Sequence, residues 1–161
     1  MLTTAKIPVK IRWFATPDMT RIVEIENAVF HSPWTLDDFL NVIRQRNCVG
    51  ILAYTEDETI AGFAIYELYG DCIHLIDFAV APEFQRSGVG SALIANIKGK
   101  LQYGKKTKIV DQVRETNLKM QLFLRSHGFE AIGVERCVFS DTGEDAFRFI
   151  YDLESNHDNI D

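Results

Sequence analysis

The stretch Asp77-Phe-Ala-Val-Ala-Pro-Glu-Phe-Gln-Arg-Ser-Gly-Val-Gly-Ser91 decides how the rest of this sequence is interpreted. It opens with an apolar run that is typical of a strand, and Pro82 ends that run because proline does not continue a central strand. Helical spacing of apolar residues begins after Gly88. The stretch therefore predicts a strand that passes through a proline turn into a helix.

The start of this helix has the chemistry of a phosphate-binding loop. The first turn of a helix presents backbone N–H groups and the positive end of the helix dipole. Gly88 and Gly90 allow the backbone to approach a ligand closely, and Arg86 adds a charge-assisted donor. The alternative is an ordinary strand-to-helix loop. The loop lacks the Gly-Lys-Ser/Thr of a P-loop and the third glycine of a dinucleotide-binding loop.

Outward from this stretch, the hydrophobic pattern predicts seven strands and four helices. The predicted strands cover residues 9–14, 48–54, 60–69, 72–80, 109–113, 129–139 and 145–153. The first predicted helix begins at Pro17, and the others cover 35–45 with Thr35 as N-cap, 88–103 and 117–126. This order of elements predicts a mixed α/β (α+β) domain.

Length and composition are those of one folded domain. The chain has 161 residues, of which 47% are hydrophobic and 25% are charged, so it can bury one sizeable core. We expect the domain to cover residues 1–154 and the polar tail 155–161 to be disordered. The formal net charge of −6 argues against nucleic acid as a partner and weakly favours a cationic or amine partner.

The three cysteines, Cys48, Cys72 and Cys137, are scattered and have no metal-ligand spacing, so we expect no metal. An odd, scattered set is typical of reduced intracellular thiols. The sequence has no signal-peptide pattern and no apolar run of membrane-spanning length. We therefore expect a cytoplasmic protein with no membrane partner, either a monomer or a homodimer.

The segment Gln85-Arg86-Ser87-Gly88-Val89-Gly90 resembles the Gln/Arg-x-x-Gly-x-Gly/Ala motif of the GNAT N-acetyltransferases. Three further parts of the sequence are similar to the same family. They are Val113-Arg114-Glu115-Thr116-Asn117 followed by Ser126-His127-Gly128-Phe129, then Gly143-Glu144-Asp145-Ala146, and Phe30 with Pro33-Trp34. Together they resemble the ribosomal-protein-alanine N-acetyltransferase branch most closely, and the resemblance covers nearly the whole chain.

This resemblance implies the GNAT fold, a mixed and mostly antiparallel sheet flanked by helices, with acetyl-CoA as the acetyl donor. It implies that the backbone of Phe78 and Val80 holds the pantetheine arm and polarises the thioester carbonyl. It also places Asn117 near the sulfur of the cofactor, although asparagine there is equally typical of a helix N-cap. The implied cofactor-binding residues are Phe78, Ala79, Val80, Arg86, Ser87, Gly88, Val89, Gly90, Ser91 and Asn117.

The catalytic positions depart from the resembled branch. Its enzymes have a glutamate just before the Val-Arg of the second motif and a tyrosine before the Gly-Phe, where this sequence has Gln112 and Leu124. Glutamine cannot take a proton and leucine cannot give one. The loss of a base is more tolerable for an α-amine, with a pKa of about 8, than for a lysine amine, with a pKa of about 10.4.

Two residues remain candidates for a catalytic role. Gln112 can orient a water or the acceptor amine by hydrogen bonding. His74 lies on the strand that leads to the loop and is a suitable type of base, although a histidine there can equally have a structural hydrogen bond. Asp77 and Asp111 are interpreted as structural, since strand alternation directs them away from His74 and Gln112.

The sequence therefore favours transfer of an acetyl group to an amine, above all the α-amine of a protein or peptide N-terminus. In the resembled family the segments around Trp34 and Phe139 flank the acceptor entrance, although Trp34 equally fits a hydrophobic plug between the first two helices. Three alternatives remain open: a small amine or polyamine as acceptor, a catalytically impaired module that binds acyl-CoA, and a structural domain that binds nothing.

Overall fold

A computed structural model describes residues 5–156, so residues 157–161 of the predicted tail lie outside the described residues. The strands are β1 (Lys10–Trp13), β2 (Cys48–Tyr54), β3 (Ile60–Tyr69), β4 (Cys72–Val80), β5 (Lys108–Arg114), β6 (Glu130–Phe139) and β7 (Glu144–Asp152). The α-helices are α1 (Met19–Val29), α2 (Leu36–Ile43), α3 (Val89–Lys98) and α4 (Leu118–Ser126). Short 3-10 turns at Thr16–Asp18 and Pro82–Phe84 precede α1 and α3.

The seven strands hydrogen-bond in the order β1-β2-β3-β4-β5-β7-β6. β4 and β5 are parallel, whereas β1–β2, β2–β3, β5–β7 and β6–β7 are antiparallel. The predicted fold class, a mixed and mostly antiparallel sheet with helices, is confirmed. The chain divides into two compact units, Met1–Leu68 with Ile76–Gly99, and Tyr69–Leu75 with Lys100–Asp161.

In the first unit, α1 and α2 bury their apolar faces in a core shared with the strands. Phe39 of α2 and Phe63 of β3 are both fully buried, and their rings meet edge to face with centroids 5.7 Å apart. This geometry suits the charge distribution of aromatic rings. The core consists of Met19, Ile22, Ile25, Phe39, Leu52, Ile60, Phe63, Ile65, Ala79 and Ala81.

The start of α2 is a capping box, with Thr35 as the N-cap that the sequence predicts. The hydroxyl of Thr35 accepts a hydrogen bond from the backbone N–H of Asp38 at 3.2 Å, and the Asp38 carboxylate accepts one from the Thr35 N–H at 2.8 Å. Such a cap stabilises a helix by about 1 kcal/mol. Thr35 therefore defines where the chain leaves the Pro33-Trp34 segment and becomes helical.

The second unit contains β5, β7 and β6, the first residues of β4, and α4. The parallel register between β4 and β5 runs from Cys72↔Lys108 to His74↔Val110. Leu124 of α4 is fully buried and Phe149 of β7 nearly so. The predicted hairpin between β6 and β7 is confirmed, and Gly143 in its turn has a φ of 74°, which glycine adopts without strain.

Helix α3 is shorter than the sequence predicts. It ends at Lys98 instead of continuing to about residue 103, and the N–H of Gly99 donates to the carbonyl of Ala95 at 3.0 Å as the last helical bond. Glycine is a poor helix former and favours the end of a helix. Leu101 continues the apolar spacing and is buried, which explains why the pattern alone extends the helix too far.

Two buried carboxyl groups meet in the first unit. Glu26 of α1 is 2% exposed and Asp77 of β4 is 8% exposed, and their side chains are hydrogen-bonded. A carboxylate is only an acceptor, so this hydrogen bond requires a proton on one of the two groups. Burial raises the pKa of Glu26, against the opposing effect of its hydrogen bonds. Because Glu26 Oε1 also accepts from the Trp34 N–H at 3.0 Å, the pair holds the segment that precedes α2.

The variant Asp77→Asn should remove the pH dependence that this shared proton creates. A carboxyl whose pKa is raised on folding stabilises the protein fully below its ordinary value of 4.5, and this contribution is lost as the pH rises through the folded pKa. Asparagine donates to Glu26 without a shared proton. The variant should therefore gain on the order of 1 kcal/mol of unfolding free energy over the wild type near pH 8, and little near pH 5.

Urea unfolding of both proteins at the two pH values measures this difference directly. Other titrating groups, including Asp111, change the unfolding free energy of both proteins alike, so their contributions cancel in the difference. A difference in unfolding free energy that is equal at the two pH values would contradict the shared proton.

Candidate active site

The turn that follows β4 is held by its own backbone and side chains. Arg86 has a φ of 62° and Gly88 a φ of 89°, both in the left-handed region. The hydroxyl of Ser87, which is 1% exposed, donates to the carbonyl of Phe84, and Gln85 Nε2 donates to the carbonyl of Val80 at 3.1 Å. These contacts fix the path of the loop before any ligand binds.

This loop delivers the chain into the first turn of α3. Gly88 is the N-cap residue, and the first hydrogen bond within the helix is donated by Ala92 to the Gly88 carbonyl at 3.0 Å. The N–H groups of Val89 and Gly90 precede that bond and have no acceptor inside the helix. With the exposed Arg86 side chain beside them, these donors fit a phosphate group.

A second cation lies next to this loop, and sequence reasoning missed it. The backbone N–H of Ile7 donates to the carbonyl of Ser87 at 2.9 Å, so the N-terminal segment runs along the loop. A Cβ atom at Gly88 would lie 3.5 Å from Cγ of Lys6. No motif connects Lys6 with the loop in the sequence, because only the folded chain brings them together.

The last residues of β4 alternate between half-buried and buried side chains, as in a strand with one face on the core. Phe78 and Val80 are half-buried, and Ala79 between them is 3% exposed. β3 approaches closely here, since a Cβ atom at Gly62 would lie 2.8 Å from the Ala79 carbonyl oxygen. A side chain at Gly62 would push the two strands apart, so glycine is needed for the position of the β4 backbone.

In the second unit, Gln112 belongs to a polar cluster on one face of the sheet. Its Nε2 donates to Oε2 of Glu135 at 2.8 Å, and Oε1 of Glu135 lies 3.7 Å from Nη1 of Arg148. Gln112 of β5 is directly opposite Arg148 of β7. The sequence does not identify Glu135 as part of this cluster, because the contact depends on how three strands are aligned.

His74 lies on the same face of the sheet as Gln112. His74 of β4 is paired with Val110 of β5, and Gln112 is the next residue of β5 on that face. The His74 ring meets the Tyr69 ring at a centroid distance of 6.1 Å. The structure therefore brings the two candidate catalytic residues to one face.

Asp111 points to the opposite face from Gln112, together with its partner Phe149. Burial of its carboxyl group raises the pKa of Asp111 to about 8. Near neutral pH the group is therefore mainly protonated and uncharged. It cannot act as a strong base in this form, although a neutral carboxyl group can donate a hydrogen bond.

The motif arginine, Arg114, organises the β6–β7 hairpin. Its two terminal nitrogens each donate to an oxygen of Asp141 at 2.9 Å, and its guanidinium lies 4.0 Å from the ring centre of Phe139. A bidentate pair of this kind has a defined orientation. Arg114 therefore holds Phe139, and its own contacts are structural.

Three other positions that the sequence analysis discusses make contacts within the fold. Asn117 caps α4, with its Oδ1 accepting from the Met120 N–H at 3.2 Å. Trp34 packs on the core of the first unit, with its ring centroid 5.2 Å from that of Phe39. Leu124 is fully buried, so it belongs to the core of the second unit.

Between residues 5 and 156, the structure groups no three His, Cys, Asp or Glu side chains in a way that could hold a metal ion. Within the same range, no helix is long and apolar enough to cross a bilayer.

Comparison with known proteins shows which class of protein this fold and loop define. The acetyltransferase (GNAT) family matches residues 19–129, which include the β4–α3 loop and end just before β6. The chain belongs to the GNAT family of acetyltransferases, and the predicted family and enzyme class are confirmed.

Among individual relatives, the ribosomal protein bS18-alanine N-acetyltransferase of Haemophilus ducreyi is 32% identical over 119 residues, 74% of this chain and 81% of the relative. The enzyme of the same name from Escherichia coli K12 is 28% identical over 133 residues, 81% of this chain and 88% of the relative.

Solved structures share the fold. The ribosomal-protein-S18-alanine N-acetyltransferase of Escherichia coli has a TM-score of 0.79 at 24% identity, covering 91% of this chain and 94% of the other. Arabidopsis thaliana NAA60 in complex with acetyl-CoA has a TM-score of 0.80 at 14% identity, covering 91% and 99%.

Two substitutions of Asn117 test whether its side chain stabilises α4 as the N-cap. Asn117→Ala removes the N-cap acceptor and should lower the free energy of unfolding by about 1 kcal/mol. Asn117→Asp keeps an acceptor for the Met120 N–H and should leave stability nearly unchanged, while it removes the amide donor. Urea unfolding checks the pair, and equal stability of Asn117→Ala and the wild type would show that the cap contributes nothing.

Proposed function

We propose that this protein transfers the acetyl group of acetyl-CoA to the α-amine of a protein or peptide N-terminus. The β4–α3 loop carries this proposal, because its left-handed turn at Arg86 and Gly88 leads into the first turn of α3, so that a cationic residue and unpaired helix N–H groups belong to one short loop. A pyrophosphate needs this combination of donors and charge. The other proposed cofactor contacts are the backbone of Phe78 to Val80, the N–H groups up to Ser91, and the side chain of Asn117.

The chemistry at Gln112 favours an α-amine as the acceptor. The amine must be neutral to attack the thioester, and at pH 7 deprotonation costs an α-amine about 1.4 kcal/mol but a lysine amine about 4.6 kcal/mol. A protein whose candidate residue cannot take a proton is better suited to the smaller cost. The relatives named ribosomal protein bS18-alanine N-acetyltransferase support the same acceptor class.

The reaction is a direct attack in a ternary complex. The amine nitrogen forms a bond to the acetyl carbonyl carbon, the C–S bond breaks, and the sulfur leaves as a thiolate with the bonding electron pair. The excess proton passes to water or to His74. Positioning of the two substrates and stabilisation of the carbonyl oxygen by backbone donors can contribute several kcal/mol, that is, about 10²-fold or more in rate.

Acetyl-CoA binding tests the loop. Calorimetry should give a Kd in the micromolar range for the wild type, and Arg86→Ala should weaken binding about tenfold or more, because a charged donor is lost. Gly88→Ala should weaken binding as well, since alanine is strained at a φ of 89°.

Gly104→Ala is the matched control for backbone strain. Gly104 also has a positive φ, of 73°, and a Cβ atom there would meet no other atom within 4 Å. This variant should lose stability without losing acetyl-CoA affinity. Wild-type protein that binds no acetyl-CoA would overturn the proposed function.

The acceptor is tested with peptides and small amines. A peptide with a free N-terminal alanine should be acetylated, and the same peptide with a blocked N-terminus and an internal lysine should not. Acetylation of spermidine tests the alternative that the acceptor is a small amine. Preference for spermidine over the free peptide would contradict the proposed acceptor.

A second function, binding of acyl-CoA without turnover, is favoured by one observation. Leu124 is 0% exposed and has no proton to donate, and the side chain of Gln112 ends in an amide that cannot take one. Neither residue can therefore transfer a proton as its counterpart in the resembled branch does. Tight acetyl-CoA binding with no acetylation of either peptide or spermidine would favour this alternative.

A further inference from the structure

The hydrogen bond between Gln112 and Glu135 crosses over a strand. β7 lies between β5 and β6 in the sheet, yet Gln112 Nε2 on β5 reaches Glu135 Oε2 on β6 at 2.8 Å. On β7, Ala146 lies opposite Glu135, and Arg148 lies opposite Gln112. Because Ala146 has only a methyl group, the two longer side chains can meet above it.

The carboxylate determines which end of the Gln112 amide faces it. An amide has a donor end and an acceptor end, whereas a carboxylate only accepts. The Nε2 end must therefore face Glu135, and the carbonyl Oε1 lies at the other end of the amide. A cationic partner in place of Glu135 would reverse this orientation. Glu135 thus sets which hydrogen-bonding atom Gln112 offers to its surroundings.

Folding stability does not account for this arrangement. Nη1 of Arg148 lies 3.7 Å from Oε1 of Glu135, and the two side chains are 44% and 38% exposed. Ion pairs with this exposure contribute little to stability, because water screens them and the long side chains lose freedom. The arrangement instead leaves a neutral acceptor, Gln112 Oε1, beside a carboxylate that has a cation 3.7 Å away.

A neutral acceptor suits an amine that must attack without its proton. A free carboxylate beside the amine would stabilise the ammonium form and raise the amine pKa. An amide oxygen accepts one N–H of the neutral amine and has no net charge to stabilise the ammonium. The nearby cation of Arg148 reduces the same effect from the neighbouring carboxylate.

We propose that Glu135 is a positioning residue for acetyl transfer, which holds Gln112 so that its Oε1 accepts a hydrogen bond from the acceptor amine. This inference rests on the proposed function. The hydrogen bond to Oε1 takes one N–H of the neutral amine and leaves the nitrogen lone pair free for attack on the acetyl carbonyl carbon. The C–N bond then forms, the C–S bond breaks to release thiolate, and the excess proton leaves to water.

A series of Glu135 variants tests the orientation of Gln112 with acetyl-CoA and the free N-terminal alanine peptide. Glu135→Ala should lower kcat/KM for the peptide about 3- to 10-fold, because one hydrogen bond orients the amide. Glu135→Lys should lower it further, since the ammonium takes Oε1. Glu135→Gln should lie between Glu135→Ala and the wild type, because its amide permits both orientations of Gln112.

The double variant Gln112→Ala/Glu135→Ala shows whether Glu135 acts through Gln112. It should be no slower than Gln112→Ala alone, because a positioning residue has no effect once its partner is gone. The acetyl-CoA Kd should be the same in all variants. Glu130→Ala removes an exposed carboxylate from the same strand and should leave kcat/KM unchanged.

The pH profile gives a readout that a structural role would not change. Gln112→Glu places a second carboxylate against Glu135, and the like charges raise the pKa of the pair. The rising limb of kcat/KM against pH should therefore lie at higher pH in Gln112→Glu than in Gln112→Glu/Glu135→Ala, and equal limbs in the two variants would show that Glu135 does not act on residue 112.

The outcomes separate the two proposals. Absence of acetyl transfer by the wild type to the peptide and to spermidine would overturn the proposed function and this inference with it. Wild-type transfer that Glu135→Ala leaves unchanged, or full additivity in the double variant, would overturn this inference alone.

Discussion

The left-handed turn between β4 and α3 is the constraint on which the candidate site depends. A non-glycine residue at positive φ is uncommon, yet Arg86 adopts it, with Gly88 two residues further on. The buried Ser87 between them anchors the turn through its hydroxyl and through its carbonyl, which accepts from the N-terminal segment. Strain of this kind persists only where the surroundings determine it. Here the result is a helix N-terminus whose donors are positioned by backbone geometry.

Because some of its acidic groups are buried, this chain is less negative near neutral pH than its sequence suggests. The formal net charge of −6 counts every Asp and Glu as ionised. Burial raises the pKa of Glu26, and it raises the pKa of Asp111 to about 8. Near neutral pH the protein is therefore less negative than −6, which reduces the repulsion that an anionic ligand meets.

Much of the fold follows from local patterns. β2, β3 and β4 occupy the predicted residues because turn residues separate their apolar runs, and Thr35 caps α2 because Asp38 lies three residues later. The predicted end of α3, near residue 103, was wrong, because the apolar spacing continues past Gly99 whereas the helix ends at Lys98. Hydrophobic periodicity takes no account of the low helix propensity of a single glycine.

The parts of the candidate site that lie in one continuous segment could be predicted from the sequence. The parts that residues from different strands form could not. The loop from Arg86 to Gly90 is contiguous, so its motif is visible in the sequence. Lys6 and Glu135 join their clusters through tertiary contacts alone. Likewise, the capping role of Asn117 follows from local rules, whereas the pairing of Glu26 with Asp77 depends on how α1 packs against β4.

The two clusters differ in how readily they can change over evolutionary time. The β4–α3 loop depends on backbone dihedrals, a buried hydroxyl and a glycine, so most substitutions there disturb the fold as well as the donors. Gln112, Glu135 and Arg148 lie on an accessible sheet face and contribute little to folding. Each can therefore be exchanged without loss of the native state. A lineage with this architecture can therefore change its sheet-face cluster by single substitutions while the loop and its backbone donors stay the same.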